Sequence, residues 1–239
     1  MGLETGTGIG DLVPTNPLST DAVSAGDDHI RLIKTVMQSV TFLRSIQTFT
    51  ASGTWTRPAN VKRILIYCLG AGGGGNGGKT SDYSGGGGSS GMIAMKWLDV
   101  SAIASATVAI GAGGTGGAIE GGLGANGGAT VFSTPGPINQ CVAQGGIQAS
   151  TYEKGGINHA LAAGIGDIIF SGSYGHFGLP FHATRITPGA QGGGAGGMSE
   201  TAAMVNSGGG GGGGSAAPTF GLVGAAGGSG YCVVLEYGW

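Results

Sequence analysis

The chain has 239 residues, 57 of them glycine, with only 9% charged side chains and a formal net charge of −2. So few charges, with no basic stripe, exclude the phosphate-neutralising surface that nucleic-acid binding needs. No apolar run of about 18 residues is present to cross a membrane, and no apolar leader opens the chain, so neither membrane insertion nor secretion is expected.

With 40% hydrophobic residues the chain can bury a core, and its length suits one or two domains. A free monomer this rich in glycine and poor in charge is a solubility hazard. The composition therefore predicts a chain that lives in an assembly.

Residues 1–26 show no periodicity and carry Pro14 and Pro17 among threonine, serine and asparagine. They read as an extended arm ordered by another surface. Asp27 or Asp28 suits the start of a helix, which the pattern extends over 27–46. Ile30, Ile33, Met37 and Val40 fall at a, d, a, d of two heptads, and Leu32, Val36 and Leu43 widen the apolar face. Two heptads are too short to associate alone, so this oligomerisation helix needs neighbours tethered elsewhere. The arm and helix form one unit, residues 1–46, and residues 47–239 form the second.

From residue 47 the apolar period shortens. Two β-like runs lie within 47–70, with Pro58 and Asn60 in the turn between them, and Ile64–Leu69 is apolar enough for a strand covered on both faces. Further strands are expected at Met92–Leu98, Thr107–Ile110, Thr130–Ser133, Cys141–Gln144, Asp167–Ser171 and Tyr231–Tyr237. Residues 99–106 offer at most one helical turn. The fold class is mainly β.

Glycine tracts separate these strands, at 70–78, 85–91, 111–117, 121–128, 192–197, 207–215 and 224–230. Ordering so much glycine costs backbone entropy that dense main-chain hydrogen bonding must offset. Some tracts suit flexible linkers. Others suit extended helices of three residues per turn packed side by side, polyglycine-II layers, since any side chain would separate the backbones. The repeat is too irregular for a collagen-type triple helix.

Three motifs imitate chemistry. Gly73, Gly78, Lys79 and Thr80 match the phosphate-binding loop, but Ser81-Asp82-Tyr83-Ser84 and four more glycines follow where a helix must open. Gly87, Ser89 and Gly91 match the nucleophile elbow, yet none of the four histidines stands in the context of a base. Cys68, Cys141 and Cys232 are widely spaced, without a CxxC or clustered histidines, and read as buried free thiols of a protein folded in a reducing cytosol rather than a zinc site. No catalytic residue, metal or cofactor is expected.

The non-glycine insertions carry the binding candidates. Residues 173–189 bring together Tyr174, His176, Phe177, Phe181, His182 and Arg185 in a segment without strand alternation, where Gly175, Gly178 and Pro180 argue against any regular element. Aromatic rings and arginine on a rigidly held loop suit recognition. Aromatic side chains plugging a core are the competing reading. Tyr83 in 79–84 and Tyr152 in 147–154 are further candidates, and 198–207 and 215–223 are smaller candidate loops.

Two stretches resemble bacteriophage tail-fibre and receptor-binding proteins. GLETGTGIGDLVPTNPLSTDAVSAGDDHIRLIKTVM is similar to the virion-attachment segment that opens many short tail fibres, including its DDHIRLIK signature. The remainder, from FTASGTWTRPANVKRILIYCLGAGGGG to GGSGYCVVLEYGW, resembles the glycine-rich domain at the tips of phage fibres. The resemblance implies a homotrimer assembled in the host cytoplasm and carried on the virion. It also implies a tip sandwich of polyglycine-II helices displaying loops toward a host-surface polysaccharide or outer-membrane protein. The implied partners on the other side are tail or baseplate proteins. This chain has almost no shaft between helix and tip, so a purely structural adaptor that holds another fibre is the alternative.

Overall fold

The structure, a computed structural model, describes residues 30–36, 42–80, 82–135, 139–151, 154–156, 164–178, 196–198, 200–217 and 219–238. It is mainly β. Strands β1 (Phe42–Phe49), β2 (Gly53–Thr56), β3 (Val61–Leu69), β4 (Ile93–Asp99), β5 (Ser105–Ala109), β6 (Thr130–Ser133), β7 (Asn139–Ala143), β8 (Ala149–Thr151), β9 (Lys154–Gly156), β10 (Ile168–Phe170) and β11 (Tyr231–Gly238) follow in order. Five strands form one antiparallel sheet in the order β1-β11-β3-β4-β10, and four form a second in the order β2-β5-β6-β7.

The helix expected over 27–46 does not run on through Phe42. Among the described residues it covers 30–36, with Ile30 and Ile33 exposed and Val36 buried. Met37 and Val40 lie outside the described residues. Phe42–Ile46, expected to be helical, belong instead to β1, where Leu43 pairs with Tyr237 and Ile46 with Leu235. The free edge of β11 outweighs local helix pattern here, because pairing satisfies a whole row of backbone groups. No helix forms over 99–106.

Alternation in the sheets decides the core. Ile64, Ile66 and Cys68 of β3 face inward beside Val234 and Cys232 of β11, and meet Trp55, Val108, Phe132 and Cys141 of the four-stranded sheet. Trp55 and Phe132 pack with ring centres 5.9 Å apart. All three cysteines are buried and free, and hydrogen bonding to Cys141 and Cys232, with burial, pushes the Cys68 thiol up. Into this apolar layer β11 also brings Glu236, fully buried. Its carboxylate accepts from Trp55 Nε1 at 2.6 Å, from Gln47 Nε2 at 2.7 Å and from the Ser45 hydroxyl. Its burial is tolerated because strands of both sheets supply its hydrogen-bond partners.

The two outer faces differ. Thr54, Thr56, Thr107 and Ala109, with Val131 and Val142, lie on the outer face of the four-stranded sheet, whereas Leu43, Ile46, Leu65, Tyr67, Trp97, Val233, Leu235 and Tyr237 dominate that of the five-stranded one, with Arg63 and Asp99 at its entry end. Ile46 is 57% exposed and Trp97 51%. On this face Tyr67 stacks on Tyr231, with ring centres 5.9 Å apart. Burial, then the neighbouring Tyr231, pushes the Tyr67 phenol up to about 12 from 10.0. The folded state therefore keeps a proton that the unfolded chain releases first as pH rises. Stability is expected to fall between about pH 10 and about pH 12, and a Tyr67→Phe chain should lack that part of the alkaline loss in thermal melts taken across the window.

Candidate functional site

β3 runs straight out of the sandwich into residues 70–78, and there the chain stops making sheet. Every N–H from Gly70 to Gly78 donates to a neighbouring segment at 2.8–3.1 Å, and the partners change with a period of three. Gly70, Gly73 and Asn76 donate to Met92, Ser89 and Gly86. Ala71, Gly74 and Gly77 donate to Gly128, Ala125 and Gly122, while Gly72, Gly75 and Gly78 donate to Gly228, Ala225 and Leu222. Carbonyls of the same stretch accept from Gly114, Gly117 and Glu120, from Gly211 and Gly214, and from Gly146. A chain with three residues per turn points successive N–H groups at three neighbours, so six segments surround this one in a hexagonal array.

Among the described residues the tracts are therefore the side-by-side extended helices that the sequence suggested for some of them, and the whole of 70–78 is buried. Glycine is required here for approach rather than for left-handed backbone. A Cβ on Gly74 would overlap the carbonyl of Thr115, and one on Gly77 the carbonyl of Ala118. The one large side chain in 70–78, Asn76, fits because its Oδ1 accepts from Gly124 N at 3.0 Å.

This lattice disposes of the borrowed motifs. The N–H groups of Gly73–Gly78, which a phosphate would need, are all spent on carbonyls. Lys79 pairs with Asp82 at 2.8 Å and lies 5.7 Å from the Tyr83 ring centre, and Thr80 Oγ1 donates to Glu120 at 2.6 Å. Ser89 is buried with its Oγ accepting from Ile147 N at 2.8 Å, which leaves it as lattice mortar. Among the described residues no cluster of histidine, cysteine and carboxylate side chains is placed to hold a metal.

Within 173–189, expected to be irregular, the described residues 173–178 are part of the lattice. Ser173 and His176 accept through their carbonyls from Ser90 N and Gly87 N, and Gly175 N donates to Gly156. Gly172, Gly175 and Gly178 recur at every third position. A Cβ at Gly172 or Gly175 would strike the backbone of Ser90 or Gly87, so this face of the segment packs inward. The glycines thought to break regular structure instead build it. Between them Tyr174 and Phe177 stand 67% and 63% exposed, with His176 also exposed. Phe181, His182, Arg185 and Tyr152 lie outside the described residues.

The end of the lattice away from the sandwich is closed by three turns. Lys79–Tyr83 form one, bridged between those two residues. Residues 118–122 form another, and 215–222 a third, bridged from Ala216 to Gly221. The first two are tied by the Thr80–Glu120 bond and by the Tyr83 hydroxyl lying against Gly121, whose φ is +78°. Around them Ile119, Leu123, Phe220 and Val223 are exposed. These four were not singled out from the sequence, although each lies within or beside a glycine tract. Together with Tyr83 they give the distal end apolar and aromatic surface, set beside the charged Lys79, Asp82 and Glu120, that suits recognition.

Comparison with curated proteins gives no match. A family model described as a glycine-rich domain matches residues 47–237, which takes in the four-stranded sheet, the five-stranded sheet apart from Phe42–Ile46 of β1 and Gly238 of β11, and every glycine tract described above. The chain belongs to this glycine-rich domain family.

Proposed function

We propose that the chain is a bacteriophage tail-fibre protein that docks on the phage tail through residues 1–46 and adheres to the bacterial surface through its glycine-rich domain, by the exposed aromatic residues on the flank of the lattice and the turns at its far end. One observation carries the reading: the two ends of the domain are opposite. Phe42, Gly238 and Val61 meet at one end of the five-stranded sheet, whereas the turns at 79–83, 118–122 and 215–222 close the lattice at the other. At rises of about 3.3 Å and 3.1 Å per residue, β3 and residues 70–78 together span about 55 Å. A backbone bonded in three directions holds those turns rigidly, which lowers the entropy cost of binding.

Assembly as a homotrimer is part of the same reading. Ile30 and Ile33 of the helix, and Leu43, Ile46 and Trp97 on the entry end of the five-stranded sheet, form apolar surface that copies of the chain would cover.

The adhesive half is tested at Tyr174 and Phe177. Both are exposed, so replacing them together by serine is expected to change the melting temperature little. Truncating two aromatic anchors typically costs about 2 kcal/mol or more of binding, so adsorption to host cells should drop by tenfold or more on the order of that energy. Unchanged adsorption, with the distal pair Leu123→Ser and Phe220→Ser also silent, would remove the adhesive reading.

A further inference from the structure

Where the outer face of the five-stranded sheet meets the glycine lattice, an open groove of about 240 Å³ remains. Its floor is Tyr67, Leu69 and Ile93, and its wall is formed by Ser90, Ser171 and Ser173. Phe170, exposed and directly opposite Ile93 on β10, borders the same corner.

The chemistry of this lining is selective. No charged side chain contributes to it, so it offers nothing to a phosphate or a carboxylate, and no ligand set for a metal. Among the described residues, neither the Ser171 nor the Ser173 hydroxyl has a hydrogen-bond partner. Ser90 Oγ accepts from Ser173 N at 2.6 Å, which leaves its own proton to donate. An aromatic ring fixed by stacking, beside hydroxyls that both donate and accept, matches a ring with an apolar C–H face and an equatorial rim of hydroxyls. The volume falls below the roughly 300 Å³ at which pockets for larger ligands begin, which suits one ring.

We propose that this groove is a binding subsite for a neutral pyranose, with the sugar's C–H face on Tyr67 and its hydroxyls on Ser171, Ser173 and Ser90. The subsite is separate from the distal turns, and it stands whether or not the chain acts as an adhesin. It is read in solution, with no cell present, by saturation-transfer NMR of the full chain with methyl glycosides of glucose, galactose, mannose and N-acetylglucosamine.

At least one glycoside is expected to bind saturably. Ser173→Trp, which fills the groove from an exposed position, should weaken that binding by about tenfold or more, and Tyr67→Leu should do the same by removing the ring. Thr54→Ala, exposed on β2 of the other sheet, should leave it unchanged. Should Ser173→Trp disturb the fold, Ser171→Phe obstructs the same wall from two residues away. Absence of saturable binding for all four glycosides, or binding indifferent to both groove-filling variants, overturns the proposal.

Discussion

A Gly74→Ala chain is expected to lose about 4 kcal/mol or more of stability, enough to leave most of the lattice unfolded at physiological temperature. Gly74 sits in the central tract, donates to Ala125, and has no room for a methyl group against the Thr115 carbonyl. The central tract cannot step aside, because neighbours surround it, and the Thr115 carbonyl is held by Ala125 N at 2.8 Å. Inserting one carbon must therefore separate backbones and stretch hydrogen bonds whose unmade groups cost about 1–3 kcal/mol apiece. The matched control is Gly53→Ala in β2, where a Cβ meets only the Phe49 ring at 3.8 Å. That change should stay within about 0.5 kcal/mol of wild type. Denaturant melts of the pair check the argument, and equal stability of the two would show that the tracts are not close-packed.

The second large effect is expected at Glu236. Alanine there leaves Trp55 Nε1, in a fully buried side chain, without an acceptor, and strips the Gln47 and Ser45 side chains of theirs. The loss should be about 3 kcal/mol or more, since orphaned donors keep their desolvation penalty and a cavity is added. Glu236→Gln retains one acceptor oxygen, so it should fall between wild type and Glu236→Ala. Indole fluorescence during urea unfolding reports both stability and the Trp55 surroundings. A Glu236→Ala chain as stable as wild type would mean that the carboxylate is dispensable to the junction of the sheets.

Much of the sandwich is legible in the sequence because strand-forming runs are local. Ile64–Leu69 and Tyr231–Tyr237 stand out as apolar runs and pair as β3 and β11 in the fold, although runs apolar at nearly every position do not show which residues face inward. Residues that depend on distant partners are not legible in this way. Nothing around Glu236 points to Trp55 or Gln47, which lie 181 and 189 residues away along the chain. Phe42–Ile46 read as helix because their apolar spacing suits one, and the edge of β11 that claims them is remote in sequence.

The binding candidates show the same division. Aromatic content picks out Tyr174 and Phe177, but their presentation depends on Gly172, Gly175 and Gly178, whose regular spacing has meaning only beside the 85–91 tract. Read locally, those glycines look like breakers. The distal residues Ile119, Leu123, Phe220 and Val223 come from turns far apart in sequence, and only the antiparallel run of the tracts gathers them at one end.

The central claim is one of direction: residues 1–46 against the tail, and the turns at 79–83, 118–122 and 215–222 facing outward. Cryo-electron microscopy of the assembled virion tests it most directly. The account predicts the β-sandwich nearer the tail and the glycine lattice projecting beyond it, with its distal turns uncovered. A lattice pointing inward, or distal turns capped by another fibre, would contradict that account and identify the chain as an adaptor.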